Sequence, residues 1–393
     1  MHITKLYYSD PYLKESDSVV IERKDDKDGQ WIFLDPVLFY PGGGGQTTDR
    51  GLIENLQIKD IKEDSGKLWF LVQGNPPDKV KLQLDWNFRY RNMQQHTGQH
   101  ILSAVLYRLF NLETVSVHLG QTETLIEIET NSISGKMIKD SEEEANKVIA
   151  NFLPVSSLLI SKDELKKFPV RRDVTSESDP VRLIQIGEYD YTGCGGTHVK
   201  NTAEVGLLKI IKSEKIRGHI RLSALIGEPA FDYFSLLHEN MSQLTKNLSC
   251  ATQDLPDRVD GLIQDIKNQK SVLKKITTLW LKEYVYRLEP QSSFGYFMLS
   301  DLNPEELGQL SREWILNYKL PLFIISAQNR KLYFILHVPE NDNKGADIFV
   351  DKYALELALK GGGNQQIFRG IINLPEIDDH YSSKVCKIMK DYF

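Results

Sequence analysis

Two short motifs each place a pair of metal-type side chains four residues apart: His96-Thr-Gly-Gln-His100 and Cys194-Gly-Gly-Thr-His198. Residues four apart lie on one face of a helix, and histidine nitrogen and cysteine sulfur are ligands that Zn²⁺ prefers. One histidine pair would be weak evidence for a metal. The second pair, in a glycine-rich segment, makes one shared metal site the better interpretation. The chain must then fold so that segments about ninety residues apart in sequence meet.

Bulk composition indicates an ordinary globular protein with more than one domain. The chain has 393 residues, of which 41% are hydrophobic and 26% charged, and domains usually contain about 100–200 residues. The net charge of −6 argues against indiscriminate nucleic-acid binding but permits a local basic face. Three cysteines are too few for a disulfide framework, and the N-terminus lacks the pattern of a signal peptide. With no apolar run that could span a membrane, we expect a cytoplasmic protein.

The first 84 residues predict a small β-barrel domain. Short apolar runs, such as 30–35 and 67–72, are separated by Asp-Gly, Ser-Gly and Asn-Pro-Pro turn signals. This pattern is typical of a small antiparallel barrel or sandwich. The segment Phe39-Tyr-Pro-Gly-Gly-Gly-Gly-Gln46 lies within it.

Residues 85–227 predict an α+β domain that contains the metal site. Asp85 can cap a helix, and His96 and His100 then follow on a helix with a strongly apolar face. A strand pattern begins at Thr124, an acidic helix is expected near 141–152, and further strands flank the cysteine motif. We therefore expect both histidines on a buried helix.

The remaining residues predict a helical spacer, 228–288, and a C-terminal α/β domain, 289–393. Apolar residues at helical spacing indicate a long helix that Pro256 must break or kink, and we expect an antiparallel helical hairpin. In the last domain, strands are predicted at 294–299, 322–326 and 332–337, and a helix at 348–360 before the glycines 361–363.

Two interpretations of the metal site remain open at this point. A closed set of four ligands is typical of structural zinc, whereas catalytic zinc keeps one position for water. A metalloprotease is excluded in practice, because that chemistry needs glutamate directly after the first histidine and Thr97 stands there.

The glycine run 42–45 is not a P-loop, since no Lys-Ser/Thr pair follows it. Four consecutive glycines instead indicate backbone that passes close to a ligand. The adjacent Gln46, Thr47 and Thr48 offer side-chain hydrogen bonds. Together with the Gly-Gly pair after Cys194, this predicts a narrow pocket beside the metal.

These motifs together resemble the editing domain of alanyl-tRNA synthetases, and most of all the free-standing AlaX proteins in their long form. The resemblance rests on the glycine motif, on Asp49-Arg-Gly51, on Asp85-Trp-Asn-Phe-Arg89 and on the two ligand motifs, and it covers residues 1–225. The tail resembles the helical spacer and C-terminal domain of alanyl-tRNA synthetase, with a shorter glycine stretch at 361–363. We expect no aminoacylation domain, because the resemblance to the editing module starts at residue 1.

The resemblance implies a zinc-dependent deacylase that acts in trans without ATP. It would hydrolyse the ester chiefly of serine, and in second place of glycine, on tRNA(Ala), and translation fidelity would depend on that reaction. The implied zinc ligands are His96, His100, Cys194 and His198. Gln46 would position substrate or water, Thr47 and Thr48 would sense the serine hydroxyl, and Asp190 would orient a zinc ligand. A zinc-positioned water would attack the ester, or the terminal ribose hydroxyl would assist; no side-chain general base stands out.

Two alternatives remain beside this function: a tRNA-binding module with a purely structural zinc, and an editing deacylase of other specificity, such as one acting on Ser-tRNA(Thr). The tail favours the alanine branch. It also suggests a homodimer formed through the C-terminal region. Two basic clusters are candidate tRNA contacts, the first containing Lys209, Lys212, Lys215, Arg217 and Arg221, and the second Lys267, Lys270, Lys274 and Lys275.

Overall fold

The computed structural model describes residues 3–172, 179–290, 293–340 and 344–393. The chain divides into two compact units, here termed unit 1 (Met1–Leu244) and unit 2 (Thr245–Phe393). Within the described ranges, no helix has both the length and the apolar content needed to cross a lipid bilayer.

Unit 1 begins with a short helix, α1 (Leu6–Ser9), and a closed β-barrel. The barrel strands are β1 (Glu15–Asp26), β2 (Gly29–Asp35), β3 (Gly51–Ile53), β4 (Leu56–Asp64), β5 (Lys67–Val72) and β6 (Lys79–Leu84). They follow the order β1-β2-β5-β4-β3-β6, and neighbouring strands run antiparallel. Aliphatic and aromatic side chains such as Ile32, Phe70 and Leu82 fill the interior. The predicted barrel is confirmed, and the glycine motif lies in the connection from β2 to β3.

The helix predicted to carry both histidines is α2 (Trp86–Phe110). Asp85 caps its first turn, because the Asp85 carboxylate accepts a hydrogen bond from the Phe88 backbone N–H. Asn111 ends the helix in the left-handed conformation, with φ of 53°. Nearly every residue from position 92 to 106 is buried, so the middle of α2 passes through the core.

Two small antiparallel sheets complete the core of unit 1 around α2. The elements are β7 (Thr114–Leu119), β8 (Thr124–Ile128), α3 (Gly135–Ala150), β9 (Val155–Ile160), α4 (Lys162–Leu165), β10 (Val181–Ile186), β11 (Asp190–Gly193), β12 (Leu208–Ile216) and β13 (His219–Ile226). One sheet has the order β12-β13-β8-β7 and the other β11-β10-β9. The acidic helix predicted near 141–152 corresponds to α3, which begins earlier, because Ser134 caps it, and ends at Ala150.

Gly98, in the middle of the histidine motif, lets α2 lie directly against β13. A Cβ atom at Gly98 would lie 2.5 Å from Ile226 Cγ2 and 3.0 Å from Val205 Cγ1. Carbon atoms do not approach so closely without displacement, so a larger residue would push the helix away from the sheet. This glycine therefore sets the distance between the helix that carries the histidines and its neighbours.

A fully buried ion pair joins the β2–β3 connection to the start of α2. Arg89 Nε lies 3.0 and 2.8 Å from the two carboxylate oxygens of Asp49, and Nη2 also pairs with Asp49. Arg89 donates further hydrogen bonds to the carbonyl oxygens of Pro11 and Leu38, and Asp49 accepts one from the Tyr40 N–H. Such a pair is tolerated in the interior because its hydrogen-bonding groups are well used. Two motifs of the sequence resemblance thus meet in one contact.

The long helix predicted over 228–288 consists of two helices, α5 (Glu228–Leu248) and α6 (Leu255–Tyr286). The break precedes Pro256, which lies in the first turn of α6, where its missing N–H costs no helical hydrogen bond. Ser249 has a φ of 50° in the connection. The boundary between the two units falls within α5, and the hairpin arrangement stays a prediction.

Unit 2 contains α6 and a five-stranded sheet with helices. The elements after α6 are β14 (Gly295–Ser300), α7 (Pro304–Tyr318), β15 (Leu322–Gln328), β16 (Lys331–His337), α8 (Ala346–Tyr353), β17 (Leu359–Gly363), β18 (Ile367–Ile372) and α9 (Asp379–Tyr392). The sheet order is β14-β15-β16-β18-β17, with β14 and β15 parallel and the other pairs antiparallel. The strands predicted at 294–299, 322–326 and 332–337 are confirmed.

The helix predicted at 348–360 is wrong in its second half. α8 ends at Tyr353, Ala358 takes a left-handed conformation with φ of 53°, and the chain then enters β17. Glycines 361–363, expected after a helix, pair with β18 as part of the sheet. Glycine is a poor helix former, and a partner strand decides the conformation of such a segment.

Candidate metal centre

The fold brings the four predicted ligands into one cluster. His96 and His100 lie one turn apart on α2, Cys194 follows β11, and His198 lies in the loop after it. One ligand atom from each residue lies within 4.8 Å of every other. The three histidines are buried and Cys194 is half-buried. This group can hold a metal ion.

The distances within the cluster suit a small tetrahedral ion. Cys194 Sγ lies 3.3 Å from His96 Nε2 and 3.4 Å from His198 Nε2. With the usual zinc–nitrogen and zinc–sulfur bond lengths, neighbouring ligand atoms of a tetrahedral site are about 3.3–3.6 Å apart. These two pairs already have the spacing of such a site, and the ligand atoms that lie up to 4.8 Å apart must move closer to bind the ion.

His96 is oriented by Gln46. His96 Nδ1 lies 2.8 Å from Gln46 Oε1, which also accepts a hydrogen bond from the Thr197 N–H, while Gln46 Nε2 donates to Thr197 Oγ1. Because the Gln46 oxygen already faces a backbone donor, it must act as acceptor, and His96 Nδ1 carries the proton. His96 Nε2 is then left with its lone pair toward Cys194, as a metal ligand requires.

His198 has an equivalent partner in Thr97, the residue that excluded a metalloprotease. Thr97 Oγ1 lies 3.2 Å from His198 Nδ1 and accepts a hydrogen bond from the Val199 N–H. Thr97 is completely buried and follows His96 directly on α2. Thr97 thus orients the ring of His198, a ligand on a different segment, although its own neighbour on α2 is the ligand His96.

His100 faces Asp190, the acid predicted to orient a ligand. Asp190 Oδ2 lies 3.8 Å from His100 Nδ1, which is close for electrostatics but long for a hydrogen bond. Arg171 and the Thr192 hydroxyl hold the carboxylate in place. Burial raises the pKa of Asp190, but His100 and Arg171 outweigh it and lower the pKa to about 2. Asp190 is therefore ionised and stands beside His100; its orienting role stays a prediction.

The charges in the cluster favour a thiolate. Burial raises the pKa of Cys194, but the neighbouring His96 and His100 outweigh it and bring the pKa well below its ordinary value. For His100, burial lowers the pKa, but Asp190 and Cys194 outweigh this effect and raise the pKa to about 9. Burial and His96 keep the pKa of His198 well below its ordinary value. A thiolate and a neutral imidazole are the forms that bind metals, so Cys194 and His198 are already in the binding form, whereas His100 must release a proton when a metal binds.

Arg182 and Gly196 shape the cysteine loop, and sequence reasoning missed both roles. Arg182 Nη1 donates to the carbonyl oxygens of Cys194 and Gly196, each at 2.7 Å, and its guanidinium lies over the Tyr8 ring. A Cβ atom at Gly196 would lie 2.1 Å from His96 Cε1. Arg182 therefore holds the backbone of the loop in place. Residue 196 must lack a side chain, because the loop backbone lies so close to the His96 ring.

The glycine motif has one part at the cluster and another beside it. Gln46 contacts His96, as described, and the hydrogen bonds of its side chain go to His96 and Thr197. Thr47 and Thr48 line a neighbouring cavity of about 270 Å³ with Arg50, Phe88, Arg91 and Asn92. The roles predicted for Gln46 toward substrate or water, and for the two threonines toward a serine hydroxyl, stay predictions.

Many basic residues proposed as tRNA contacts are paired with acids on the surface. Lys209 lies 2.8 Å from Glu142, Arg221 2.6 Å from Glu127, and Lys274 3.2 Å from Glu305. Arg217, Arg221 and His219 line a second cavity, of about 390 Å³, at the β12–β13 turn. The pairing reduces the local positive charge that a nucleic acid would meet.

The contacts made by the residues that sequence reasoning missed leave no mark in the local spacing of side chains. Thr97 and His198 are 101 residues apart, and Arg182 acts on backbone atoms, which leave no signature in side-chain spacing. The sequence drew attention to Thr97 only because a metalloprotease needs glutamate at that position.

The sequence is similar to those of alanyl-tRNA editing proteins and of alanine–tRNA ligases. A family model described as the threonyl and alanyl tRNA synthetase second additional domain matches residues 181–222, which include Cys194 and His198. The alanyl-tRNA editing protein AlaX-L of Pyrococcus horikoshii is 40% identical over 225 residues, covering 54% of this chain and 55% of that protein. An alanine–tRNA ligase of Sulfurisphaera tokodaii is 26% identical over 376 residues, 91% of this chain and 40% of the ligase.

The chain therefore spans only about half the length of these two relatives. A solved structure, the C-Ala domain of Aquifex aeolicus alanyl-tRNA synthetase, covers 25% of this chain and 93% of that domain at 21% identity, with a TM-score of 0.23, which is too low to argue from. The alanyl-tRNA editing protein Aarsd1-B of Xenopus laevis is 30% identical over 377 residues, covering 93% of this chain and 82% of that protein. On the length and identity of that match, the chain belongs to the alanyl-tRNA editing protein family.

Proposed function

We propose that the protein hydrolyses the ester that joins serine, and as a second substrate glycine, to tRNA(Ala), and that it does so in trans, without ATP and with a zinc ion. The observation that carries the proposal is the cluster of His96, His100, Cys194 and His198, with a polar group of the chain facing the Nδ1 atom of each histidine. Membership of the editing family supports the substrate class.

The chain's own residues supply binding and orientation. Gln46 and Thr97 keep the Nε2 atoms of His96 and His198 directed at Cys194. A zinc ion bound there would polarise the ester carbonyl and lower the pKa of a bound water. The three histidines are buried and Cys194 is half-buried, so we place the approach of the substrate on the Cys194 side. Backbone N–H groups of the glycine-rich segments are the candidate donors to the oxyanion.

An editing reaction of this kind has a clear physical reason. An alanine-binding pocket discriminates weakly against glycine, which lacks one methyl group, and against serine, which adds one hydroxyl. A second site that forms hydrogen bonds with the serine hydroxyl rejects alanine strongly, because its buried polar groups would lose their partner. Thr47 and Thr48 are our candidates for such groups.

A second candidate function follows from the ligand count, because four protein ligands complete a tetrahedron. A closed set of this kind is typical of structural zinc, which would make the protein a module that binds tRNA without hydrolysing it. A third reading, hydrolysis of Ser-tRNA(Thr), is disfavoured by relatives named for alanyl-tRNA editing.

A deacylation assay separates these functions. Purified protein is incubated with labelled Ser-tRNA(Ala), Gly-tRNA(Ala), Ala-tRNA(Ala) and Ser-tRNA(Thr), before and after metal removal by a chelator and after zinc is restored. We expect rapid loss of serine from tRNA(Ala), little loss of alanine, and loss of activity with the chelator. Survival of Ser-tRNA(Ala) at stoichiometric enzyme would contradict catalysis.

The ligand set is tested by metal content. Cys194→Ala should lower bound zinc and activity together, whereas Cys250→Ala, which removes a half-buried thiol outside the cluster, should change neither. Unchanged zinc in Cys194→Ala would remove that residue from the ligand set.

We further propose a homodimer formed through unit 2. Helix α6 exposes the apolar side chains of Val259, Ile263, Ile266, Leu273 and Trp280, which follow one another at intervals of four, three, seven and seven residues. This spacing is typical of a helix that packs against another helix. Light scattering of the full chain should give the mass of a dimer, and Ile263→Glu with Ile266→Glu should give that of a monomer. A cytoplasmic location is supported by the three cysteines, all in the described part of the chain, which form no disulfide.

A further inference from the structure

The cavity beside the metal cluster has the chemistry of an anion site. It is lined by Thr47, Thr48, Arg50, Phe88, Arg91 and Asn92, and its volume is about 270 Å³. We call it the Arg50–Arg91 cavity. Two arginines give it positive charge, and the Arg50 guanidinium lies 4.1 Å from the centre of the Phe88 ring. A planar group and a negative group would both find partners here.

One face of α2 leads from this cavity to the metal cluster. Phe88, Asn92, His96 and His100 follow each other at intervals of four residues, so their side chains lie in a row. Along the helix axis, Phe88 and His96 are about 12 Å apart, since each residue adds about 1.5 Å. The β2–β3 connection makes the same link, because Gln46 contacts His96 and the next residue, Thr47, lines the cavity.

Asn92 provides a buried donor without a protein acceptor. The residue is 4% exposed and lines the cavity, and its Nδ2 atom makes no hydrogen bond within the described part of the chain. A buried amide that lacks a partner destabilises a folded protein by about 1–3 kcal/mol. The unpaired donor of Asn92 is therefore available to a ligand in the cavity that can accept its hydrogen bond.

The arginines retain donors for a ligand. Arg91 Nε and Nη2 donate to Glu228 at 2.9 and 2.5 Å, which fixes the guanidinium beside the cavity. A guanidinium has five N–H groups, so this pair does not use all of them. Arg50 is exposed at the rim, while its backbone oxygen accepts a hydrogen bond from the Asp85 N–H at the start of α2. A negative group in the cavity thus meets the charge of Arg50, the remaining N–H groups of Arg91, whose charge Glu228 partly balances, and one buried amide.

We propose that the Arg50–Arg91 cavity binds the 3′-terminal nucleotide of a single-stranded RNA end, with its phosphate on Arg50, Arg91 and Asn92 and its base against Phe88. The proposal rests on the proposed function, since the aminoacyl ester is attached to that nucleotide. A nucleotide seated there places its ester toward His96 along the row of α2 side chains. Phosphate contacts of this kind position a substrate and carry no sequence information.

Binding tests the cavity without any hydrolysis. A labelled, uncharged RNA hairpin with a single-stranded CCA end is titrated against the full chain and its Arg50→Gln, Arg91→Gln and Asn92→Asp variants. Loss of a charge-assisted hydrogen bond should weaken binding about tenfold. Each arginine variant should also reduce the slope of log affinity against log salt by about 0.7, as expected for one phosphate contact on a single strand. Asn92→Asp keeps the side-chain size and replaces the donor by a negative charge.

Lys27 provides the matched control. It is exposed in the turn between β1 and β2, so Lys27→Gln removes one positive charge from the same unit away from the cavity. If the arginine variants lose no more affinity than Lys27→Gln, or if Asn92→Asp binds like the unchanged protein, the cavity does not hold the phosphate. Circular dichroism and zinc content of each variant identify a folding defect. Arg50→Gln changes an exposed side chain and is therefore the cavity variant that should disturb folding least.

Hydrolysis gives an independent measurement. Seryl-tRNA(Ala) is compared with 2′(3′)-O-seryl-adenosine, an ester that lacks the 5′ phosphate. Arg50→Gln should lower kcat/KM about tenfold for the tRNA and less than twofold for the nucleoside ester. Equal losses on both substrates would overturn the assignment. If the unchanged protein hydrolyses neither ester, the proposed function fails, while RNA binding still decides what the cavity holds.

Discussion

Consecutive glycines occur in both units, and their backbones differ. In the glycine loop (residues 42–45) of unit 1, all four residues have φ between 59° and 123°, a region in which other residues are strained. In the glycine strand (residues 361–363) of unit 2, which lies fully within the described ranges, no residue has positive φ. These residues are extended and pair with β18.

These segments require glycine for two separate reasons, backbone conformation and space, and the reason differs from one residue to another. In the loop the main need is conformational. In the strand the need is space, because a Cβ atom at Gly361 would lie 2.1 Å from Arg369 O, and one at Gly363 would lie 2.2 Å from Ile367 O. Gly44 and Gly362 have no heavy atom within 4 Å of such a Cβ. Each segment therefore contains a residue that can serve as a control for its neighbours.

The largest effect is expected at Gly196, where the need for space meets the metal cluster directly. In Gly196→Ala, the new methyl group would overlap the His96 ring, with Cβ 2.1 Å from Cε1 and 2.7 Å from Gln46 Oε1. Displacing an oriented ligand and its partner should lower zinc affinity at least tenfold. Gly195→Ala, whose Cβ meets Tyr8 Oη at an ordinary 3.5 Å, is the control. Zinc competition with a chromophoric chelator measures both, and equal affinities would show that His96 is not held as described.

The second largest effect is expected in the glycine loop, where two variants separate the cost of a left-handed backbone from the cost of steric overlap. Gly45→Ala combines a φ of 89° with a Cβ only 2.6 Å from Val117 O, whereas Gly44→Ala has a φ of 59° and open surroundings. Left-handed alanine costs about 1–2 kcal/mol, and overlap adds about 1–3 kcal/mol. Denaturant unfolding should therefore show Gly45→Ala to be the less stable variant by at least 1 kcal/mol. If both variants unfold at the same denaturant concentration, contact with β7 does not constrain the loop.

A smaller effect is expected in the glycine strand. Gly361→Ala should lower the free energy of unfolding of unit 2 by about 1–3 kcal/mol, because β17 and β18 must separate to admit the methyl group. Gly362→Ala should change it by less than about 0.5 kcal/mol. Hydrogen exchange of β18 amides reports this unit, and zinc content should stay constant in both variants. Fast exchange in Gly362→Ala would show that openness is not what distinguishes the two positions.

The smallest effect concerns pH and again unit 2. His337 lies on β16 opposite Ile367 of β18, and burial, with Arg312 and Arg369, lowers its pKa to about 4. The unfolded chain takes up a proton below about pH 6.5 and the folded chain does not, so unit 2 loses stability as pH falls from about 6.5 to about 4. His337→Gln should reduce this loss. Melting curves at pH 7 and pH 5 provide the check, and an unchanged pH dependence in the variant would assign it to other groups.

Much of the site could be predicted because ligand spacing is a local property. His96 and His100 share a helix face, Cys194 and His198 share a loop, and residue chemistry alone joined them into one cluster. The barrel followed from short apolar runs between turn signals. Both are patterns that a few neighbouring residues determine.

The remainder depended on contacts that no local pattern contains. The partners of the histidines lie 50 and 101 residues away in the cases of Gln46 and Thr97. The glycine strand became a strand through β18, and a single segment cannot reveal its partner. The cavity next to the threonines depends on Arg50 and Asn92 meeting from different elements.

The ion pair between Asp49 and Arg89 determines which piece of this protein could be transplanted into another chain. A fragment that starts at Asp85 would carry Arg89 into the interior without its carboxylate, and an uncompensated buried charge costs about 3–5 kcal/mol. That is a large share of the 5–15 kcal/mol by which domains are usually stable. The portable module must therefore include the connection from β2 to β3, and with it the barrel, however small a fragment the metal ligands alone would suggest.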